Sequence, residues 1–314
     1  MKVLVTGGLG FIGSHLVKRL LMDGHEVTVL DNLTRNQESG MALNHSLHAY
    51  KTYRPIIADI RDEHSASKAV RTQAGEPQDA VIHLAAIVNA RMSVQKPKET
   101  MDVNLGGTTS ILEASRSAGV PRFIFASSIA VYGKPQYLPY DEEHPTKPLS
   151  PYALSKLVGE QLTALYGELY GLQTVSLRFP NIYGKGASTV ISLFLNRIAA
   201  GEPLTVYGGN QTDDFLHVSD AVQAYTRALD SSATGVFNVG SGWVSSIRGL
   251  ISIMERELGR TFEVRYEPEA KGEIRGSTVN FAKATGVFGY RPLLGLEAGI
   301  ALTCRELGLK REGV

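Results

Sequence analysis

Tyr152 and Lys156 stand four residues apart in Pro151-Tyr152-Ala153-Leu154-Ser155-Lys156. On a helix, that spacing sends both side chains out from one face. A tyrosine beside a lysine suits one kind of step, in which a proton is taken from a hydroxyl while hydride leaves the carbon that bears it. A free tyrosine, with a pKa near ~10, is too weak a base at neutral pH. A neighbouring ammonium, or a positively charged nicotinamide, favours the phenolate and lowers that value. A serine hydroxyl can orient the reacting oxygen or relay the proton, and Ser127-Ser128 lie upstream, directly after a strand-like run at 122–126. Pairs at this spacing often arise by chance, so the weight falls on the elements that place them.

Those elements follow from hydrophobic periodicity. Strand-like runs occur at residues 2–6, 26–30, 54–58, 80–84, 122–126 and 174–178. Residues 12–23, 101–118 and 152–170 have helical period, with Gly24 and Gly119 just past two of the ends as stop signals. Short strands alternating with longer helices predict a parallel sheet joined by crossover helices. After Phe179 the texture changes to Gly-, Pro- and Asn-containing loops with shorter periodic segments. The expected class is therefore α/β, a doubly wound parallel sheet of Rossmann type with a smaller C-terminal α/β lobe that binds substrate. The first unit is expected to take residues 1–180 plus about 213–240, and the second about 181–212 plus 241–314. Within this scheme 215–230 reads as strand then helix, returning to the first lobe. Ser127-Ser128 then end a strand at the sheet edge where ligands sit.

The first strand runs into Thr6-Gly7-Gly8-Leu9-Gly10-Phe11-Ile12-Gly13 and an amphipathic helix. Gly7, Gly10 and Gly13 suit a turn with positive φ, a close approach of backbone to a pyrophosphate, and tight packing of helix on strand. Free N–H groups at the helix start attract phosphate charge. Glycine turns of this kind are common, and Asp31 sharpens the reading. It lies about twenty residues on, at the end of the second strand, where a carboxylate accepts from adenosine ribose hydroxyls. Asp31-Asn32 would repel a 2′-phosphate, so NAD is the expected cofactor rather than NADP. Asp59-Ile60 follow the third strand, where the pair either touches the adenine or Asp59 is an ordinary strand-end residue.

Composition narrows the partners. Lys and Arg number 32 against 31 Asp and Glu, so no broad field points to nucleic acid or an anionic membrane. The single cysteine, Cys304, excludes an internal disulfide framework and a cysteine-based zinc site, and reads as an inert residue of the last helix. His83 and the other histidines show no metal-ligand spacing. Residues 1–5 run straight into the glycine turn, too brief for a signal-peptide core, and no apolar run approaches the ~20 residues that span a bilayer. The expectation is a soluble, cytoplasmic protein.

Taken together, these residues resemble the extended short-chain dehydrogenase/reductase family, most closely its nucleotide-sugar 4-epimerase branch, over nearly the whole chain. The likeness is carried by the glycine motif, Asp31-Asn32-Leu33, His83-Leu84-Ala85-Ala86, Asn104, Ser127-Ser128 ahead of Val131-Tyr132-Gly133, Tyr152 with Lys156, and Leu177-Arg178-Phe179 before Asn181. It implies that Tyr152 is the catalytic base, that Lys156 binds the nicotinamide ribose and tunes the tyrosine, and that Ser128 is the third member. It also implies that Leu84, Ala85, Ala86 and Asn104 join the glycine turn, Asp31, Asn32, Asp59 and Ile60 around NAD, and that Asn181 helps hold a substrate diphosphate. The stretches 101–118 and 152–170 resemble the pair that forms a four-helix dimer interface, which implies a homodimer.

Departures from the family pattern fall on the substrate side. The family usually has arginine where this chain has Asp213, and a second where Ala270 stands, two residues before Gly272. Both usual arginines contact the diphosphate, so either Lys271 and Arg275 substitute or other neighbours compensate. Ser277, between Gly272 and Lys283, resembles the epimerases' gatekeeper for the sugar 2-substituent. A small residue there admits an N-acetyl group, which points to UDP-GlcNAc, and the competing reading is surface drift.

Three functions fit to different degrees. A 4-epimerase acting on UDP-GlcNAc or UDP-glucose would pass through a 4-keto sugar with no net redox change. A nucleotide-sugar dehydratase would share the first step, then remove the C5 proton and expel the C6 hydroxyl. The similar 4,6-dehydratases carry an Asp/Glu pair directly after the serine position, where this chain has Ile129 and Ala130. That disfavours an ordinary 4,6-dehydratase and leaves room for a UDP-hexosamine 5,6-dehydratase with its acid and base elsewhere. A non-catalytic NAD-binding relative is the third reading, and it is disfavoured because Tyr152, Lys156 and Ser128 are all retained.

Overall fold

The computed structural model describes residues 1–34, 37–268 and 276–311. From the N-terminus come β1 (Lys2–Thr6), α1 (Phe11–Met22), β2 (Glu26–Asp31), α2 (Gln37–Leu47), β3 (Tyr53–Ile57), α3 (Glu63–Ala69), β4 (Ala80–His83), α4 (Ala90–Gln95) and α5 (Pro97–Met101). A π-helical turn, Asp102–Gly106, leads into α6 (Gly107–Ala118), β5 (Arg122–Ser128), a 3₁₀ turn Ile129–Tyr132, α7 (Pro151–Tyr170) and β6 (Gln173–Phe179). The remainder holds β7 (Asn181–Tyr183), α8 (Val190–Ala200), β8 (Leu204–Tyr207), β9 (Thr212–His217), α9 (Val218–Leu229) and β10 (Gly235–Asn238). It ends with β11 (Val244–Ser246), α10 (Ile247–Leu258), β12 (Val264–Glu267), β13 (Gly276–Ser277), α11 (Ala282–Phe288) and α12 (Leu296–Glu306).

The expected doubly wound sheet is present, with seven parallel strands in the order β10-β6-β5-β4-β1-β2-β3. Alternation along β1 explains why it is covered on both faces. Val3 and Val5 pack with Leu16 and Leu20 of α1 and Ala221 and Tyr225 of α9, while Leu4 between them packs with Ala66 of α3 and Ile111 and Leu112 of α6. The second unit is a four-stranded sheet of β7, β9, β11 and β13 beside a two-stranded one, β8 with β12. Its core draws Phe194 and Leu195 from α8, Leu250 and Met254 from α10, and Ile300 and Cys304 from α12. The Cys304 thiol is pushed up to about 11 by burial. The strand of the 215–230 segment lengthens to β9 and belongs to the small sheet, and its helix, α9, returns to pack on α1.

Two further elements differ from the sequence reading. The single helix expected at 101–118 is interrupted by the π turn, which projects Asn104 sideways to reach two other segments. A Cβ on Gly107 would lie 2.2 Å from Ile60 Cδ1, so the chain also passes too close to the third-strand loop for a side chain there. Strand β10, four residues long and at the sheet edge, carries too little periodicity to stand out. Among the described residues, no helix is long and apolar enough to cross a membrane, and no group of three or more His, Cys, Asp or Glu is placed to hold a metal ion.

Candidate active site

β1 and β4 are sheet neighbours whose chains wind away in opposite directions, and the crevice at their C-terminal ends collects the glycine turn and residues 84–86. Leu84 N donates to Thr6 O (3.1 Å) and Ala85 N to Thr6 Oγ1 (3.3 Å). Gly7 has φ +68°, and a Cβ there would stand 2.8 Å from Ala85 N. One on Gly13 would stand 2.2 Å from the Gly7 carbonyl oxygen. Helix α1 begins after Gly10, which offers no side-chain cap, so its first-turn N–H groups, those of Phe11, Ile12 and Gly13, are left for an anion. Asp31 fastens the turn to the end of β2, accepting from Leu9 N at 3.0 Å and Leu33 N at 2.8 Å. A carboxylate has about four acceptor positions, which leaves two for ribose hydroxyls.

Beyond Asp31, the strand ends are tied together. Asn32 Nδ2 donates to Asp59 Oδ2 (3.1 Å), and the Arg61 guanidinium grips the same carboxylate at 2.8 and 2.9 Å. The Arg61 hydrogen bond is the main cause holding Asp59 down to about 2. Ile60 is buried with its side chain in the core under Gly107, so only its backbone is left to meet an adenine. Asn104 is likewise turned to the protein, with both amide N–H donors in use. It accepts from Ile87 N (2.7 Å) and donates to Ile87 O (3.0 Å) and Ser155 Oγ (2.8 Å), so it pins the segment after β4 to α7 rather than offering itself to a ligand.

α7 opens with Ser150 capping Ala153 N and Pro151 in its first turn, which suits helix initiation. Tyr152 sits in that turn, half-buried, with its backbone N–H donating to Ser93 Oγ on α4 (3.1 Å). One turn on, Lys156 is 4% exposed and donates from Nζ to Ala126 O on β5 (2.7 Å). Burial pushes this ammonium down to about 8, partly opposed by Glu160. Ser128 ends β5 and caps the 3₁₀ turn, accepting from Ala130 N at 3.2 Å and keeping its own O–H to donate. The backbone thus brings α7 against β5, which carries Ser128 at its end.

A buried network escaped the sequence reading. Glu160, one turn past Lys156, accepts from Arg178 Nη2 (2.6 Å) and Nε (2.9 Å), and Ser127 Oγ donates to it as well. Arg178 Nη1 donates to the Tyr132 hydroxyl (2.9 Å), which donates to Asn238 Oδ1 (2.6 Å). Tyr132 and Arg178 lie in motifs visible in the sequence; Glu160 and Asn238 carry no local signal, because only sheet register sets Ser127, Arg178 and Asn238 side by side.

On the substrate side, Asn181 opens β7, exposed, in register with Phe215 of β9. Ser277 is not a surface residue: it is 7% exposed, in register with Asp213, and donates to Asp213 Oδ1 at 2.6 Å. Asp213, one of the two departures from the family pattern, is therefore bonded to the gatekeeper-like Ser277. Ala270, Lys271 and Arg275 lie outside the described residues.

Comparison with known proteins matches this architecture. Residues 3–240 fit the model of the NAD dependent epimerase/dehydratase family. The chain is 38% identical to a putative UDP-glucose 4-epimerase of Methanocaldococcus jannaschii over 95% of each chain. Among solved structures, the UDP-glucose 4-epimerase of Thermotoga maritima with UDP-glucose matches with TM-score 0.90 and 31% identity, covering 98% of this chain and 99% of that one. That of Thermus thermophilus with NAD gives 0.87 and 35%, covering 100% of both. A double mutant of the dTDP-glucose 4,6-dehydratase of Streptomyces venezuelae, with NAD bound, gives 0.88 and 30%, covering 97% and 96%. The glycine cradle, the uncapped start of α1 and the carboxylate at the end of β2 fit the same cofactor. The chain belongs to the NAD dependent epimerase/dehydratase family and is an NAD-dependent enzyme of that kind.

Proposed function

We propose that this enzyme is a nucleotide-sugar 4-epimerase, acting through a transient 4-keto sugar on UDP-GlcNAc or UDP-glucose. The observation that carries this reading is the retained trio beside an apolar turn: Tyr152 and Lys156 on α7, Ser128 at the end of β5, then Ile129 and Ala130 where elimination would call for carboxylates. NAD, when bound, supplies the acceptor and then the donor of the sugar's C4 hydride. Tyr152 takes the proton of the 4-hydroxyl as the C4–H bond breaks, and returns it to the same oxygen after the keto sugar has turned over. Lys156 stabilises the phenolate by its charge, and Ser128 directs its O–H at the reacting oxygen. Asn181 and backbone N–H groups hold the diphosphate, and the small Ser277 leaves room for an N-acetyl group.

The same reading makes the enzyme a homodimer through α6 and α7, the latter carrying exposed Leu165, Leu169 and Tyr170. A monomeric mass by light scattering at micromolar concentration would refute it. The epimerase reading is tested by running the reaction in D₂O. A hydride that never leaves the site gives product free of carbon-bound deuterium, whereas deuterium at C5, or loss of the C5 proton, would identify a dehydratase.

A further inference from the structure

The turn that carries Ser128 is anchored from behind by the side chain of its last residue, Tyr132. Ser128 is the N-cap of the 3₁₀ turn and Tyr132 is its last residue, so what fixes one end constrains the other. Tyr132 is fully buried, its ring stacked on Tyr140 at 4.7 Å with 9° between planes, and the Arg178 guanidinium lies 4.8 Å from its centroid. Its hydroxyl accepts from Arg178 and donates to Asn238, so it joins strands β6 and β10, which sit in register at these two residues. Arg178 is held in turn by Glu160, on the helix that carries Lys156, and Glu160 accepts from Ser127, next to Ser128. Asn238 is fixed from three sides: Tyr132, the Tyr140 carbonyl (3.1 Å) and Glu142 Oε1 (2.8 Å). The Tyr132 phenol is pushed up to about 12, chiefly by burial, so it stays protonated and can act as a fixed donor.

We propose that Tyr132 is a positioning residue for the reaction, its hydroxyl locking the Ser128 turn onto the Arg178–Glu160 pair behind Lys156. This rests on the assignment of Ser128, Tyr152 and Lys156 made above. Tyr132 does not touch substrate; it acts through Ser128. Removing the hydroxyl leaves an Arg178 donor and the Asn238 acceptor unpaired in a buried place, and the turn shifts as they find new partners.

The test is a double-mutant cycle of Tyr132→Phe with Ser128→Ala on the NAD-loaded enzyme, with bound NAD, thermal midpoint and kcat and KM measured for each, and Tyr152→Phe run alongside. Tyr132→Phe keeps the ring stack, and the expected result is a fall in kcat of about ten-fold with KM within about two-fold. Bound NAD should be unchanged, and in the Ser128→Ala background the same substitution should change kcat by less than about two-fold. Equal falls in both backgrounds, or lost NAD and stability with normal kcat per loaded site, would overturn the proposal. If Tyr132→Phe does not fold, Asn238→Ala removes one of the two bonds from the other side, with about a three-fold fall in kcat expected, again only when Ser128 is present. Full activity in Tyr152→Phe overturns the underlying assignment and this inference with it. An inactive Tyr152→Phe beside an unaffected Tyr132→Phe overturns this inference alone.

Discussion

Burial, more than sequence spacing, makes Lys156 chemically distinctive. A lysine ammonium in water holds its proton to a pKa near ~10.4, while here burial brings it to about 8, with Glu160 opposing the fall. If the ammonium is what stabilises the Tyr152 phenolate, kcat must fall as pH rises through about 8, and a pH-rate profile reads this directly. Tyr152→Phe should lower kcat by about 10²–10⁴-fold, the usual contribution of a positioned base, with bound NAD unchanged. Ser277, buried against Asp213, makes a size prediction: Ser277→Tyr should abolish turnover of UDP-GlcNAc while sparing UDP-glucose in competition assays. The trio and Asp31 were legible in the sequence because each follows a strand or opens a helix. The bond between Ser277 and Asp213 was not, since the two are far apart in the chain and meet only through the register of β9 with β13.

At the level of elements, the turn from β1 into α1 has the least freedom. The Gly13 position is closed by the Gly7 carbonyl oxygen at 2.2 Å from any Cβ, so Gly13→Ala must push the helix start away from the turn. The expected outcome is purified protein that has lost most of its bound NAD, read as nucleotide released on denaturation, with a lowered thermal midpoint. Helical period correctly marked α7, whose cap and αL Gly171 bound it at both ends. It misread 101–118 as continuous, because a π turn changes which way side chains point without removing apolar residues from the helix. The Glu160–Arg178 pair was hidden for a related reason: charged residues on a helix and a strand read as solvent-facing until packing brings them together at 4% and 5% exposure.

For the molecule as a whole, alternation of strands and helices was enough to foresee a doubly wound sheet, since seven parallel strands admit few other coverings. The interior also sets how stability responds to acid. His83 is bonded between Thr6 and Thr108, and burial, with Lys156 adding to it, pushes it down to about 3; burial likewise pushes His217 down to about 4. Unfolded histidine takes a proton below about 6.5, so stability present above that pH is lost as pH falls toward those folded values, by about 1.4 kcal/mol per pH unit for each group. The thermal midpoint should therefore drop between pH 7 and pH 5, and less steeply in His83→Gln. The proposed chemistry is inversion at C4 of a nucleotide-sugar with no loss of water and no net redox change. The direct measurement is to incubate the purified protein with UDP-GlcNAc, and separately with UDP-glucose, without added reductant, following the sugar by proton NMR and mass spectrometry. Unchanged mass with inversion at C4 is predicted; loss of one water with new vinyl or keto-deoxy signals would contradict it.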